Sequence, residues 1–429
     1  MIPTFVTRYL HTRALRTPWR IDGCSSDGFN GAVVIPALAE SAHLFETLRT
    51  LAANPAHILA RFLVLVVVNH REDASGGDKE DNHATLGQLA DASRELPGLR
   101  LTWVDAASPG LELPAKGGGV GLARKIGLDL ALTRLDFTGE TPLLISLDAD
   151  TLVEPSYLRA VTDHFRNSRR GGAVIPFRHR PGVTPAGQDA IDRYELFLRS
   201  YVLGLSLAGS PYAFHTVGSA MACTATAYIR MGGMNRRAAA EDFYFLQQLH
   251  RTAGVEQIRG TTVYPSARPS HRVPFGTGRS VSRALYGENG GQTFYRPDCF
   301  HILGQWLASA SEGTEGSTAD LPAQAAEISP HLAAYLEEAS FAGAWEGLRD
   351  NHAQGEPLRR AFHGWFDGLR TMKLIHHLSA AAFPRCGPEE ALPPLLERAD
   401  LECPAGVSDQ LELLRDYQGH ASRQPEVCR

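Results

Sequence analysis

No Cys-x-x-Cys pair occurs in the 429 residues, and the six cysteines (Cys24, Cys223, Cys299, Cys386, Cys403, Cys428) are scattered along the chain. Such spacing suits neither a zinc site nor a small disulfide scaffold; reduced thiols in a cytoplasmic protein are the simpler reading. Long apolar runs are missing too. Arg61-Phe-Leu-Val-Leu-Val-Val-Val68 is too short to span a bilayer and reads as a buried strand. Ser200 to Ile229 contains no Asp, Glu, Lys or Arg, but Gly204, Gly209, Pro211, His215 and Gly218 interrupt it, which predicts a buried helix followed by a loop. A basic surplus is absent: the formal charge is −5, which argues against a general nucleic-acid binder. The first 20 residues hold Arg8, Arg13, Arg16 and Arg20 with no acid. They lack the apolar core of a signal peptide, and a solvated or packed N-terminal arm over residues 1–29 outweighs a membrane-surface role.

What is present is ordinary globular material, 43% hydrophobic and 21% charged, enough for a packed core in one large domain plus an appendage. Strand-like runs alternate with helical patterns. Ala32–Pro36, Phe62–Val68, Leu101–Val104 and Leu143–Leu147 read as strands, and Ser41–Ala53 and Gly121–Leu132 as helices. This alternation predicts an α/β domain over residues 30–307 with a mainly parallel sheet flanked by helices. Residues 308–319, small and polar, read as a linker or mobile loop. Residues 320–429 read as a helical appendage, with one apolar stripe at Phe341, Trp345 and Leu348 and another at Leu358, Phe362, Trp365, Phe366, Leu369 and Met372.

In parallel sheets ligands bind beyond the carboxyl ends of strands. There, after Leu143-Leu-Ile-Ser-Leu147, stand Asp148 and Asp150, one residue apart. An acidic turn capping the next helix is the plain alternative. A hard divalent cation, Mg²⁺ or Mn²⁺, would take such oxygen ligands and bridge them to a diphosphate that bare carboxylates would repel. A second acidic pair, Glu241 and Asp242, opens a helix after Gly232-Gly-Met-Asn. Acids there suit the helix dipole, and one of them can also serve as a general base for a hydroxyl. Neighbouring helical residues point about 100° apart, so one of the two faces the site. Lys116-Gly-Gly-Gly-Val-Gly-Leu-Ala-Arg-Lys-Ile-Gly127 fails the dinucleotide fingerprint, because no Gly-x-Gly-x-x-Gly follows a strand directly. It remains a glycine loop opening a helix, able to let backbone approach a ligand.

These pieces, in this order, resemble family 2 glycosyltransferases of the GT-A fold over roughly residues 30–285. The matching stretches are Val34-Ile-Pro-Ala-Leu-Ala-Glu40, Ala123-Arg-Lys-Ile-Gly127, Asp148-Ala-Asp150, Gly232-Gly-Met, Glu241-Asp242, and His271 in Pro269-Ser-His-Arg-Val-Pro-Phe-Gly-Thr-Gly278. The resemblance implies a nucleotide-diphospho-sugar donor and a hydroxyl-bearing acceptor. It implies Asp150, Asp148 and His271 around a Mn²⁺ or Mg²⁺ ion, with Asp148 also reaching the ribose, and Asp242, with Glu241 beside it, as catalytic base. It places Pro36, Ala37, Glu40, Asn69, Gly121, Arg124, Arg272 and Arg279 at the donor; the last two, with Arg268, make a candidate diphosphate clamp.

Two departures stand out. The family's second strand ends in an acidic pair that reads the nucleobase, whereas here Asn69 occupies that place, leaving Asp73 or Asp81 to take over; and Ala39 replaces the usual Asn. The Gln-x-x-Arg-Trp signature of processive relatives is absent, so transfer of a single sugar is expected, with inversion favoured by the resemblance alone. A non-catalytic nucleotide-sugar or glycan-binding protein on the same fold is a rival reading. A haloacid-dehalogenase-like phosphatase is a weaker one, since Thr151-Leu152 stands where Gly-Thr should follow the second acid. The C-terminal helices offer one surface for homo-oligomerisation.

Overall fold

The computed structural model describes residues 2–15, 17–269, 276–285, 292–315 and 320–420. These fall into two units, Met1–Pro181 with Thr216–Arg279, and Gly182–His215 with Ser280–Arg429.

The first unit is built on strands β1 (Asp22–Gly23), β2 (Gly31–Ala37), β3 (Phe62–Asn69), β4 (Arg100–Ala106), β5 (Leu143–Ser146), β6 (Leu152–Val153), β7 (Gly172–Val174), β8 (Met221–Thr224), β9 (Val255–Gln257) and β10 (Val263–Tyr264). Eight of them form one sheet in the order β1-β4-β3-β2-β5-β8-β7-β9, and β10 pairs with β6 in a small second sheet. Strands β4, β3, β2 and β5 run parallel to one another. β8 is antiparallel to both β5 and β7, β9 runs parallel to β7, and β1 is antiparallel on the β4 edge. Every residue of β2 and β3 is buried, as expected of strands covered on both faces by helices. This is the α/β class expected from the sequence, a mixed sheet with helices.

The chain adds β3 and β4 on one side of β2, then returns to place β5 on the other. The order therefore reverses beside β2, and the carboxyl ends of β2 and β5 flank a topological switch point, where α/β sheets bind their ligands. The helices are α1 (Thr4–Thr12), α2 (Leu44–Ala52), α3 (Ala56–Leu59), α4 (Gly76–Glu95), α5 (Val120–Ala131), α6 (Tyr157–Asn167), α7 (Pro185–Leu207, in the second unit), α8 (Ala225–Met231), α9 (Glu241–Ala253) and α10 (Thr277–Leu285). Ser75 caps α4 by accepting from Asp78 N at 3.2 Å.

The N-terminal arm is packed. Tyr9 of α1 donates to Asp129 Oδ1 at 2.7 Å, Tyr228 donates to the same oxygen at 2.8 Å, and Leu15 N donates to Oδ2 at 2.8 Å. Lys125 completes the cluster with an ion pair to Asp129 at 2.9 Å. Buried polar groups need such full satisfaction, and here it fastens α1 to α5.

The second unit is helical. Besides α7 it holds α11 (Pro297–Thr314), α12 (Leu321–Ile328), α13 (Pro330–Glu338), α14 (Phe341–Asn351), α15 (Glu356–Trp365), α16 (Gly368–Ala381), α17 (Pro388–Arg398) and α18 (Val407–His420). Its core centres on buried Trp306, Phe341, Phe362 and Phe366, joined by Leu196 and Leu203 of α7; the rings of Trp306 and Phe341 lie 5.0 Å apart, edge to face. Three expectations change here. The helical unit draws in Gly182–His215 and begins again at Ser280, so it is not confined to residues 320–429; α7 joins it because its apolar face is buried in that aromatic core. Ser309–Thr314, expected in a linker, form the last turns of α11. A Cβ on Gly313 would come within 3.0 Å of Leu321 Cδ1, so at that position smallness serves close packing. The stripe from Leu358 to Met372 belongs to two helices, α15 and α16, with Asp367 between them capping α16 through Arg370 N at 3.0 Å.

Among the described residues no helix is long and apolar enough to cross a membrane.

Candidate active site

The acidic turn after β5 is fixed from below. Thr47 of α2 donates to the Ala149 carbonyl at 2.9 Å, and Thr151 N donates to Asp148 O at 3.2 Å. These bonds hold the backbone between Asp148 and Asp150 while leaving both carboxylates to side-chain partners.

Two arginines are those partners. Arg124, on the first turns of α5, is almost wholly buried, its side chain 2% exposed. Its Nε donates to Ser146 Oγ at 2.8 Å, one Nη donates to Asp148 and the other to Glu241. A single guanidinium fork therefore ties the end of β5, the acidic turn and the start of α9 together. Arg268 does the same across the switch point. Its Nε donates to Asp150 Oδ2 at 3.1 Å and an Nη donates to Glu40, just beyond β2. The two aspartates of the Asp-x-Asp triplet are thus held by different arginines from different segments.

The second acidic pair enters from a shaped loop. Ala240 sits in the left-handed region at φ 56 and starts α9. Asn235 donates to the Glu241 carbonyl at 2.8 Å, and its own side-chain oxygen accepts from Arg237 N at 3.1 Å. Glu241 is buried against Arg124; Asp242, half-buried, accepts from Phe243 N at 2.8 Å. Burial pushes the Asp242 carboxyl up to about 7, Glu241 adds to the rise, and Arg124 opposes it. Burial also raises Asp148, against the pull of Arg124 and with the push of Asp150 and Glu241. A carboxyl titrating near neutrality is suited to accept a proton.

The other expected donor residues divide. Arg124 brings Asp148 and Glu241 together, and Arg268 brings Asp150 to Glu40; Asp242 makes no arginine bond among the described residues and meets Arg124 only through its charge. Pro36 and Ala37 are buried in β2, in register with Val67 and Val68 of β3; they build the sheet that carries the site. Asn69, expected to stand in for a base-reading acid, is buried and spends its amide on Ala37 O at 3.1 Å and Val67 O at 2.9 Å. The alternatives are engaged as well: Asp73 forms a two-point pair with Arg71 at 2.8 Å, and Asp81 accepts from Ser41 N at 3.1 Å and Ser41 Oγ at 2.5 Å. Gly121, expected to admit a ligand, is buried instead against the segment before α9; a Cβ there would lie 2.3 Å from Arg237 O. The glycine loop lets α5 approach that segment closely enough for Arg124 to reach Glu241. Arg279 lies in the first turn of α10. His271 and Arg272 lie outside the described residues.

Sequence reasoning missed Ser146, Thr47 and Asn82. Ser146 offered a signal, a hydroxyl in an apolar strand. Asn82 of α4 gave none: its Oδ1 accepts from Ala39 N at 2.9 Å, and its amide donates to Asn69 O at 2.9 Å. Ala39 is held at φ 52, so α4 supplies from a distance the anchor that a local Asn would provide.

The donor chemistry fits a hard divalent cation. Among the described residues no group of three or more His, Cys, Asp and Glu is arranged to hold one. However, Mg²⁺-type ions commonly take one or two protein carboxylates and fill the rest of their shell with water and substrate phosphate. Asp148 and Asp150 side chains are 37% and 21% exposed, and each commits one oxygen to arginine among the described residues.

No known family model matches the chain, and no curated protein matches it in sequence. Similar solved structures include S. aureus TarS 1–349 in complex with UDP-GlcNAc, 14% identical with a TM-score of 0.38 over 92% of this chain and 93% of that one. Another is the mannosyltransferase PcManGT from Pyrobaculum calidifontis in complex with GDP-Man and Mn²⁺, 15% identical with a TM-score of 0.35 over 96% of this chain and 92% of that one.

Proposed function

We propose that the chain is a metal-dependent, inverting, non-processive glycosyltransferase that moves one sugar from a nucleotide-diphosphate donor to an acceptor hydroxyl. The observation that carries this reading is the meeting of Asp148 and Glu241 on Arg124, with Asp242 within reach of its charge, and of Asp150 and Glu40 on Arg268 at the switch point. The ordered motifs in the sequence support it.

In this reading Asp242 accepts the proton of the acceptor hydroxyl. The hydroxyl oxygen forms a bond to the anomeric carbon as the bond from that carbon to the diphosphate oxygen breaks. The electron pair leaves with the diphosphate, and one displacement inverts the centre. Arg124 holds Glu241 and so orients the first turn of α9, which carries Asp242. Asp148 and Asp150, with His271 as a further candidate, are the residues that would hold Mn²⁺ or Mg²⁺, which when bound offsets the charge of the departing diphosphate. Arg272 and Arg279 belong to the proposed diphosphate clamp. The scattered cysteines support a cytoplasmic location.

The test is turnover of a nucleotide-sugar panel by the full chain with Mn²⁺ or Mg²⁺. Asp242→Asn is expected to abolish transfer while nucleotide binding persists. Tight donor binding with no turnover across a broad acceptor panel would instead establish a binding protein.

A further inference from the structure

A cavity of about 650 Å³ lies between α1 and the turn that follows α8. Arg8 and Arg13 reach it from α1 and the residue after its end, Arg236 from the turn, and Lys125 from α5; among the described residues no acidic one lines it. The Lys125 charge is answered by Asp129, 2.9 Å away. Arg8, Arg13 and Arg236 are exposed and make no ion pair among the described residues. Three uncompensated guanidinium groups around one opening repel each other, an arrangement that an anion relieves. A helix C-terminus draws a cation, and Arg13 does sit by the end of α8, where a Cβ on Gly232 would come within 3.0 Å of its Nη1. That accounts for one arginine and leaves Arg8 and Arg236 unexplained.

We propose that this cavity is a binding site for a phosphoryl group, separate from the Asp148–Asp150 site. A tetrahedral, doubly charged phosphate matches several guanidinium forks at once better than a single carboxylate does. The volume exceeds that of a bare phosphate, so the group arrives on a larger molecule, either a soluble phosphate ester or a lipid headgroup. The lipid source has structural support of its own. Ile2 and Phe5, each 43% exposed, precede Arg8 at three-residue spacing, which puts Phe5 and Arg8 on one face of α1. The occupant would bridge α1 to the turn leading into Glu241 and Asp242.

The experiment uses the full chain in two arms at low ionic strength. In one, inorganic phosphate and glycerol phosphate are titrated against the thermal midpoint, with chloride at matched ionic strength as control. In the other, the protein is sedimented with vesicles of phosphatidylcholine, with or without phosphatidic acid. Saturable binding in either arm is expected, weakened about tenfold or more in the Arg13→Gln/Arg236→Gln double variant, in line with the loss of charge-assisted hydrogen bonds. The Arg13→Lys/Arg236→Lys pair should recover part of it. Binding in the vesicle arm alone assigns a headgroup, and binding of the soluble probes assigns an ester. Absence of saturable binding in both arms, or full retention in the Gln variant, overturns the proposal.

Discussion

Arg124 donates to Glu241, 117 residues further along the chain, while its Nε holds Ser146 at 2.8 Å. The side chains of Arg124 and Glu241 are 2% and 6% exposed. Removing one partner of a buried pair leaves an uncompensated charge, which costs about 3–5 kcal/mol. Arg124→Ala should therefore lose about that much stability in denaturant titration, and Arg124→Lys less. Because Arg124 also holds Asp148, both variants should lose nucleotide binding out of proportion to any unfolding at the assay temperature.

The Asp242 carboxyl, pushed up to about 7, predicts a pH signature with a definite sign. Turnover should rise through about pH 7 as the base ionises. Stability should move the other way. Between the ordinary carboxylate range and 7 the unfolded chain gives up this proton more readily than the folded one, so folding loses stability as pH rises through that window. Asp242→Asn should consequently match the parent protein near pH 4 in thermal melts and exceed its midpoint above pH 7. An equal midpoint at both pH values would count against the raised carboxyl.

Asp150 carries two loads, its bond to Arg268 at 3.1 Å and its proposed share of a metal. Asp150→Ala should weaken the Mn²⁺ dependence of turnover, shifting the metal titration to higher concentration and lowering the plateau. Full turnover in the purified variant would remove the metal role from this residue.

Asn69 gives a prediction opposite to the one its sequence position suggests. Its amide is committed to Ala37 O and Val67 O, so Asn69→Ala should cost stability, on the order of 1–3 kcal/mol for unsatisfied buried groups, and leave the preference among UDP, GDP, CDP and dTDP unchanged. A switch of nucleotide preference would restore Asn69 as a base reader.

In the second unit, Glu195 is fully buried and accepts from Arg199 at 2.9 Å and from Arg415 at 2.8 Å. Glu195→Ala would strand two arginines, and a loss of about 3–5 kcal/mol is expected in a denaturation experiment.

Much of this could be read from the residues. The β3 run announced a parallel strand, because burial on both faces leaves an unmistakable apolar run, and the acidic triplet after Leu147 could be placed at the carboxyl end of β5. The short strands β7, β8 and β9 did not announce themselves: at three or four residues, their pairing is decided by the sheet that receives them. Arg124, Asp148 and Glu241 could each be named as candidates, but not that one guanidinium would join the two acids to Ser146, since these groups meet only through tertiary packing. The backbone duties of Asn69 and Gly121 were hidden for the same reason. Each carries the residue type expected near a ligand, and the fold uses each for its own backbone.

The two arginines also bear on how tightly the proposed site can hold a ligand. Asp148 and Asp150 are gripped from different segments, by α5 and by the stretch around Arg268, and the backbone between them is pinned by Thr47. Little rotational freedom is left in the acidic turn for an arriving ligand to freeze, so more of the contact energy is retained as affinity. The rearrangement that does accompany binding should be an exchange of partners at the guanidinium groups, with the peptide frame standing still.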